Sequence, residues 1–341
     1  MKAIICIMAD NSELAIKNSD VLLDGYNHLI ARLHLNTYVF RFVGGAELGE
    51  HRSFSNRTLQ LAVDDKSTLQ KRKAVMQWLL DYDKEFDVVV FQNHSTVVNL
   101  RLLDILLHDH QFEDNKVYGG VMSIQNRGMD DFNSGIKIRQ SFQLLVGNLH
   151  IMTRKTMEKI LPYLDYGSTW TSSVLDKWRI FTNPTYYKAM ASGYKNQVTE
   201  NHLPGFTEPD DDIITHIVVS EILNGNFVRL NSKLLEGATN VKLSDMASIF
   251  SVRVKMESSG AWDLNEEWYW KMREVYEPYF IKFILNEFEN TECSARQYKN
   301  FLDLKKEYPV PESEATEHGS RLFDIWSEPW EPDFDVHFYS I

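Results

Sequence analysis

The first 160 residues alternate short apolar runs with segments of helical spacing, and this alternation constrains the fold of the 341-residue chain more than any other feature. Ala3–Met8 and Phe86–Phe91 are apolar runs typical of buried strands, and Asn36–Val43 is rich in β-branched and aromatic residues. Strands that alternate with helices indicate a mainly parallel sheet covered by helices on its faces. The expected fold class is α/β, with a mixed, mainly parallel sheet.

The helices between these strands are predicted from apolar residues at helical spacing and from polar residues that can cap a first turn. The predicted first residues or caps are Asn18 or Ser19, Ser67 or Thr68, Asn99, and Thr153. Further strands are predicted at Lys116–Met122, Leu149–Met152 and Asn226–Leu230, and a further helix at Ile213–Leu223. These elements continue the α/β pattern to about residue 230.

Two later regions break the pattern. Residues 165–208 lose all periodicity and carry many aromatic side chains among Gly, Pro, Ser and Thr, so we expect an ordered functional loop there. Asp263–Phe288 has a helical pattern that we expect to be interrupted at Pro278. The predicted organisation is a core over residues 1–243 and a helical C-terminal extension over residues 244–341, packed on that core.

Composition excludes several classes of protein. The net charge of −12 disfavours non-specific binding to nucleic acid. Two cysteines, Cys6 and Cys293, supply neither a disulfide framework nor a zinc site. No apolar run approaches the roughly 18 residues of a membrane span, and Met1–Met8 lacks the features of a signal peptide. We therefore expect a cytoplasmic protein without a membrane partner.

Polar residues follow three of the predicted elements at the points where ligands bind. Ligands of open α/β sheets lie at the carboxyl ends of the strands. Asp10-Asn11-Ser12 follows the first strand, and Gln92-Asn93-His94-Ser95 follows the central strand. An acidic run, Asp210-Asp211-Asp212, opens a later helix. These three groups are the candidates for chemistry.

The segment Leu69–Leu100 resembles the core of the fringe and β-1,3-galactosyltransferase-like enzymes, a GT-A glycosyltransferase family. In that family a helix with a Lys, and a Trp seven residues later, leads into a strand that ends in an acidic metal motif and a Val-Asn turn. Lys71 and Trp78, then Asn93-His94-Ser95 and Val98-Asn99, follow that order. Ser141–Ile160 and Pro209–Leu223 resemble the family's glycine turn and its acidic pair at a helix start. The resemblance covers roughly residues 1–235.

The resemblance implies a Rossmann-like GT-A fold and inverting transfer of a sugar from a UDP-sugar to an acceptor hydroxyl. Such transfer needs a carboxylate that takes the acceptor proton. The match makes Asp211 or Asp212 this base, with helix capping as the alternative role. Residues expected to bind the sugar donor are Asp10, Asn11, Ser12, Lys71, Asn93, His94 and Ser95. Residues expected to face the acceptor are Gly147, Asn148, Trp170, Trp178 and Tyr186.

The sequence departs from the family at the metal motif. Asn93-His94-Ser95 replaces the acidic triplet that holds Mn²⁺ or Mg²⁺ against the donor diphosphate, and hard cations prefer carboxylate oxygens. Two alternatives stay open at this point. Either cationic side chains, with Lys71, Arg127 and Arg139 as candidates, neutralise the phosphates, or His94 helps to bind a transition metal. The first is preferred, because one imidazole alone rarely makes a site.

The acceptor, the sugar and the oligomeric state are left open by the sequence. The sugar is expected to be a hexose or pentose such as glucose or arabinose. The preferred acceptor is 5-hydroxymethylcytosine in phage DNA, although the charge of −12 counts against DNA. A glycan or surface polysaccharide is the alternative acceptor. A nucleotide-sugar-binding module without catalytic activity is the alternative function.

Overall fold

A computed structural model gives the fold. It describes residues 1–45, 53–81, 85–120, 122–125, 130–131, 136–137, 142–145, 149–164, 171, 173–174, 211–236, 243–255, 266–289 and 291–307. Outside these ranges lie most of the predicted aromatic loop and the candidate residues Arg127, Arg139, Gly147, Asn148, Trp170, Trp178 and Tyr186.

The described strands, numbered in chain order, are β1 (Ala3–Met8), β2 (Thr37–Gly44), β3 (Ser53–Ser55), β4 (Thr58–Leu61), β5 (Val88–Asn93), β6 (Thr96–Val98), β7 (Lys116–Gly119), β8 (Met122–Gln125), β9 (Asp130–Asp131), β10 (Ile136–Lys137), β11 (Phe142–Leu145), β12 (Leu149–Thr153), β13 (Asn226–Arg229), β14 (Ser232–Glu236) and β15 (Ser251–Lys255). The described α-helices are α1 (Glu13–Leu33), α2 (Thr68–Asp81), α3 (Leu100–His108), α4 (Arg154–Ile160), α5 (Asp211–Ile217), α6 (Glu266–Glu289) and α7 (Thr291–Glu307). A π-helical turn, Val218–Ile222, continues α5.

The main sheet of the described residues has eight strands in the order β13-β7-β12-β5-β1-β2-β4-β3. Neighbouring strands are parallel, except that β12 runs antiparallel to β5 and β7, and β3 runs antiparallel to β4. A smaller sheet has the order β14-β15-β6, and two-stranded pairs join β8 to β11 and β9 to β10. The expected mixed, mainly parallel sheet is confirmed.

Helices cover both faces of the main sheet because its central strands are apolar on both sides. Alternate residues of β1 belong to different hydrophobic clusters: Ile5 packs in a cluster with residues of α1, α3, α6 and α7, and Ile4 in a cluster with residues of α2, α4 and α5. Burying one such aliphatic side chain contributes about 1.5–3 kcal/mol. The two-sided burial fixes the strand order in the middle of the sheet and places the carboxyl ends of β1 and β5 side by side.

The first helix starts earlier than the sequence pattern predicts. Ser12 rather than Asn18 or Ser19 is the N-cap, and both of those residues are buried inside α1. The central strand is shifted toward the C-terminus, since β5 ends at Asn93 instead of Phe91. Asn93 stays in the strand because it pairs in register with Met8 of β1. The Ser12 cap begins the helix and pairing with β1 extends the strand, so in both places the polar residues lie inside regular structure.

The C-terminal region differs from its prediction in two respects. Helix α6 continues through Pro278, although an interior proline costs a helix about 3 kcal/mol. Packing against α1, α7 and β15 compensates for that loss. Ser251–Lys255, within the predicted helical extension, is the strand β15, and it pairs with β6 and β14 of the core. Among the described residues no helix is long and apolar enough to span a bilayer.

Candidate functional site at the carboxyl ends of β1 and β5

The carboxyl end of β1 runs directly into α1. The Ser12 hydroxyl caps α1 by accepting a hydrogen bond from the Ala15 amide at 3.3 Å, and Asp10 Oδ1 accepts one from the Ser12 amide at 2.8 Å. Burial pushes the pKa of Asp10 up, but the hydrogen bonds from Ser12 and the nearby His94 and Lys71 outweigh it and lower the pKa. Asp10 is therefore an anion at neutral pH, while Ser12 is occupied by the cap.

Asp65 joins the loops that follow β1, β2 and β4. Its Oδ2 accepts a hydrogen bond from the Asn11 amide and its Oδ1 one from the Gly44 amide, both at 2.8 Å. The Asn11 side chain completes the junction, because its Nδ2 donates to the Gly44 carbonyl at 2.9 Å. Asn11 thus serves to hold two strand ends together, and Asp65 is the residue on which that arrangement depends.

Lys71 of α2 brings a buried ammonium group to the same place. Its Nζ donates to the Ala9 carbonyl at 2.9 Å and lies 3.6 Å from Asp65 Oδ1. Burial lowers the pKa of Lys71, and the carboxylates of Asp65, Asp10 and Asp211 oppose that shift. One cation is therefore held among three anions from three different segments.

His94 lies directly after β5, next to the end of β1. Its amide donates to the Met8 carbonyl at 2.9 Å, and its ring is half-buried. Burial foremost, then Arg273, Lys71 and Arg253, lower the pKa of His94 to about 4, against the opposing effect of Asp10. The imidazole is accordingly neutral at pH 7.

Helix α6 reaches this histidine through Asn18 of α1. Asn18 Nδ2 lies 3.4 Å from His94 Nδ1 and 3.2 Å from Glu277 Oε2. Glu277 is fully buried and also accepts a hydrogen bond from Arg273 Nε at 2.9 Å. A connected row of polar groups therefore runs from Arg273 on α6 to the end of β5.

Asp211, at the start of α5, lies in a buried ion pair. Its Oδ2 is 2.5 Å from Arg72 Nε of α2, and both side chains are almost fully buried. The Arg72 guanidinium also contacts His150 Nδ1 on β12 and stands over the Phe91 ring at 5.3 Å. The contact with Asp211 is ionic, since the Nε–H does not point at this oxygen. Asp212, the next residue, is only half-buried.

The structure brings together only part of the predicted set. Asp10 and Lys71 lie close enough to shift each other's pKa values and that of His94. Asn93 ends β5, and the Ser95 carbonyl accepts a hydrogen bond from Val254 of β15 at 2.7 Å. The acceptor residues predicted in the glycine turn and the aromatic loop lie outside the described residues.

Sequence reasoning missed four residues of this region: Asp65, Arg72, Asn18 and Glu277. Only Asp65 has a local signal, because an acidic pair follows the strand β4 and precedes α2. Arg72 looks like part of a short basic cluster on a solvated face. Asn18 and Glu277 are 259 residues apart, so nothing in the local sequence predicts that their side chains meet.

A divalent cation does not fit the described residues around His94. In these ranges no group of three or more His, Cys, Asp and Glu side chains is arranged to hold a metal ion. Asn18 Nδ2 occupies the side of the imidazole at Nδ1, and a metal needs a free lone pair there or at Nε2. Of the charged groups that act on the pKa of His94, Lys71, Arg253 and Arg273 are cations and Asp10 is an anion, so the balance suits an anionic ligand better than a metal ion.

Two solved structures overlap with most of the chain. One is described as a glycosyltransferase involved in the glycosylation of the major capsid of PBCV-1; it is 9% identical, with a TM-score of 0.35, and the match covers 81% of this chain and 100% of that one. The other is the galactosyltransferase LgtC in complex with donor and acceptor sugar analogues, 11% identical, with a TM-score of 0.35 over 79% of this chain and 95% of that one.

No family model matches the sequence, and no curated protein matches it. Superpositions at a TM-score of 0.35 are too loose to carry an activity from one protein to another. The chemistry has to be inferred from the side chains of this chain.

Proposed function

We propose that the chain is an inverting glycosyltransferase that uses a UDP-sugar as donor. The observation that carries this proposal is the grouping of Asp10, Lys71 and His94 at the adjacent carboxyl ends of β1 and β5, where ligands of α/β sheets bind. The resemblance of Leu69–Leu100 to the fringe and β-1,3-galactosyltransferase-like enzymes supports the same activity. A neutral imidazole can donate to phosphate oxygens, a buried ammonium group can attract them through its charge, and a carboxylate can accept from ribose hydroxyls.

Cationic side chains neutralise the donor diphosphate in this proposal, in place of a metal ion. Lys71 and Arg273 also offset Asp65 and Glu277, and Arg253 adds a third positive charge; all three lie near enough to lower the pKa of His94. A buried cation acts more strongly on a phosphate than an exposed one, because solvent screens it less. Activity is therefore expected to persist in EDTA.

Asp212 is the proposed general base. Asp211 is nearly inaccessible and its charge is balanced by Arg72, whereas the neighbouring Asp212 is half-buried in the same first turn of α5. A general base has to come within hydrogen-bond reach of the acceptor hydroxyl. The structure thus favours the second of the two carboxylates that the resemblance left open.

The acceptor is proposed to be 5-hydroxymethylcytosine in DNA, with a glycan as the alternative, and the transferred sugar to be glucose or arabinose. A second candidate function is binding of a nucleotide sugar without transfer. It is favoured by the absence of carboxylates at Asn93-His94-Ser95 and by the engagement of Asp211 in an ion pair.

The proposal is tested in two stages. Calorimetry should show binding of UDP and UDP-glucose but not of ADP, and Lys71→Met should weaken UDP binding about tenfold or more, since it removes a buried positive charge at the strand ends. Lys159→Met, which removes an exposed cation on α4, is the matched control and should bind like the parent. No binding of any uridine nucleotide at millimolar concentration would contradict the proposed donor.

Transfer is then measured by mass spectrometry of hydroxymethylated DNA and of glycan acceptors incubated with UDP-glucose or UDP-arabinose, with and without EDTA. A mass increase on one acceptor class identifies it and supports a transferase. UDP binding without transfer to any acceptor or to water supports the binding module. Complete loss of transfer in EDTA, restored by Mn²⁺, would contradict phosphate neutralisation by side chains alone.

A further inference from the structure

The function proposed so far gives no role to Asn18 and Glu277, the two buried side chains behind His94. Asn18 is fully buried, and its Nδ2 faces both His94 Nδ1 and the carboxylate of Glu277. Glu277 is also fully buried, and Arg273 holds its other oxygen. A polar side chain buried to this extent keeps one orientation, because turning its amide over would place an acceptor against another acceptor.

The carboxylate fixes which way the Asn18 amide faces. An ionised carboxylate only accepts hydrogen bonds, so the atom of Asn18 that faces Glu277 has to be the nitrogen. The same nitrogen faces His94 Nδ1. Since an NH2 group only donates, Nδ1 has to accept, and a neutral imidazole that accepts at Nδ1 carries its proton at Nε2.

We infer that Asn18 and Glu277 are positioning residues that hold His94 as the Nε2–H tautomer, so that His94 donates a hydrogen bond to a phosphate oxygen of the bound nucleotide. This inference rests on the proposed donor site. The Nε2 atom makes no hydrogen bond to the described residues, and His94 is half-buried after the end of β5, near Asp10 and Lys71. His94 then contributes a directed donor, while Lys71 contributes charge.

The row also links the C-terminal region to the site. Helix α6 supplies Glu277 and Arg273 and packs along α1, which supplies Asn18. The burial of Glu277 requires the compensating contacts from both Arg273 and Asn18, because a buried carboxylate without partners costs several kcal/mol. The part of the chain after residue 243 therefore helps to set the chemistry of a residue that directly follows a core strand.

The tautomer is measured directly by long-range ¹H–¹⁵N correlation spectra of the ¹⁵N-histidine-labelled protein without ligand. His94→Gln identifies the His94 signals. The parent is expected to show protonated Nε2 and unprotonated Nδ1 between pH 6 and 8. Asn18→Asp places an acceptor opposite Nδ1 and is expected to move the proton to Nδ1. Asn27→Leu, a change of the same residue type on α1 that contacts Leu23 instead, should leave the pattern unchanged.

Nucleotide binding is measured on the same proteins with UDP as the probe. Asn18→Leu and His94→Leu are expected to weaken UDP binding by about fivefold to tenfold, the usual effect of one lost hydrogen bond, and His94→Gln to restore most of it because its amide can donate from a similar position. Asn18→Leu is also the replacement variant if Asn18→Asp does not fold, because it removes the only amide that faces His94 Nδ1 in the described residues.

The two readouts separate the possible failures. A parent protein with the proton on Nδ1, or an Asn18→Asp variant with an unchanged tautomer, would overturn the inference whatever the ligand. A parent with the expected tautomer that binds no UDP would overturn the proposed donor and the part of His94 in binding it. Equal UDP binding by His94→Leu and the parent would overturn the hydrogen bond to the nucleotide alone.

Discussion

Among single residues, Arg72 makes the most consequential contacts. Its guanidinium is almost fully buried and touches α5 through Asp211, β12 through His150 and β5 through the face of Phe91. An arginine tolerates such burial only when carboxylate, ring and imidazole contacts replace its water. Breaking one partner of a buried pair costs about 3–5 kcal/mol, because the other charge is left without compensation.

The two adjacent carboxylates of α5 should therefore respond differently to the same substitution. Asp211→Asn removes the partner of Arg72 and is expected to lower the free energy of unfolding by about 3 kcal/mol. Asp212→Asn leaves the pair of Arg72 and Asp211 intact and is expected to lower the free energy of unfolding by less, while lowering turnover by roughly 10²–10⁴, the contribution of a general base. Urea denaturation and steady-state kinetics measure the two effects. An Asp212→Asn variant with turnover within a few-fold of the parent, on the acceptor identified by mass spectrometry, would exclude it as the base.

At the scale of elements, the junction of β2 with the segment before α2 determines the shape of the site. Gly44 approaches the Asp65 backbone so closely that a Cβ atom on it would lie 2.5 Å from Asp65 Cα. The contact lets Asp65 accept from both Gly44 and Asn11 and lie beside Lys71. A glycine is required here for space.

Gly44→Ala is accordingly expected to destabilise the protein by about 1–3 kcal/mol, as overpacking does, and to weaken UDP binding by displacing Asp65 from Lys71. Gly25→Ala on α1 is the matched control. Its Cβ would meet only the flexible end of Leu285, and alanine favours a helix by up to about 1 kcal/mol over glycine, so a small effect of either sign is expected. Equal destabilisation of the two variants in thermal denaturation would show that the junction is not tightly packed.

The dependence of stability on pH belongs to the whole molecule, because it sums groups that lie far apart. Burial lowers the pKa of His94 from 6.5 to about 4 and raises that of Glu287 on α6 from 4.5 to about 7. Between about pH 4 and 6.5 the unfolded chain binds more protons than the folded one at His94, so this group makes stability rise with pH. At Glu287 the folded chain binds more protons between about pH 4.5 and 7, so this group makes stability fall with pH.

Between about pH 4.5 and 6.5 the contributions of His94 and Glu287 to the pH dependence of the unfolding free energy have opposite signs. Replacing one of the two residues is therefore expected to reveal the contribution of the other. Relative to the parent, Glu287→Gln should gain stability progressively, by up to about 3 kcal/mol, as pH rises from 4.5 to 7. His94→Gln should be more stable than the parent at pH 4, by a similar amount, and this difference should disappear as pH rises to 6.5. Unfolding free energies measured at half-unit pH intervals test both. Parallel curves for parent and variants would contradict the burial of these charges in the folded state.

The sequence by itself determined the α/β class, most of the helix and strand positions, and the placement of Asp10 and His94 at strand ends. These depend on local periodicity and on a rule that holds for all open parallel sheets. Predictions from the local sequence failed where packing with residues distant in sequence determines whether a segment is a helix or a strand. Pro278 stays inside a helix because of packing, and Ser251–Lys255 is a strand because β6 offers it a partner.

Only the tertiary structure decided what the polar residues do. It showed Ser12 as a helix cap, Asn11 as a junction between two strand ends, and Asp211 as the partner of Arg72. It also placed Glu277 behind His94 through Asn18, a contact between residues 259 positions apart. Sequence patterns report which residues are buried or helical, whereas the charge and the hydrogen-bond partner of a side chain depend on groups that only folding brings within about 3 Å of it.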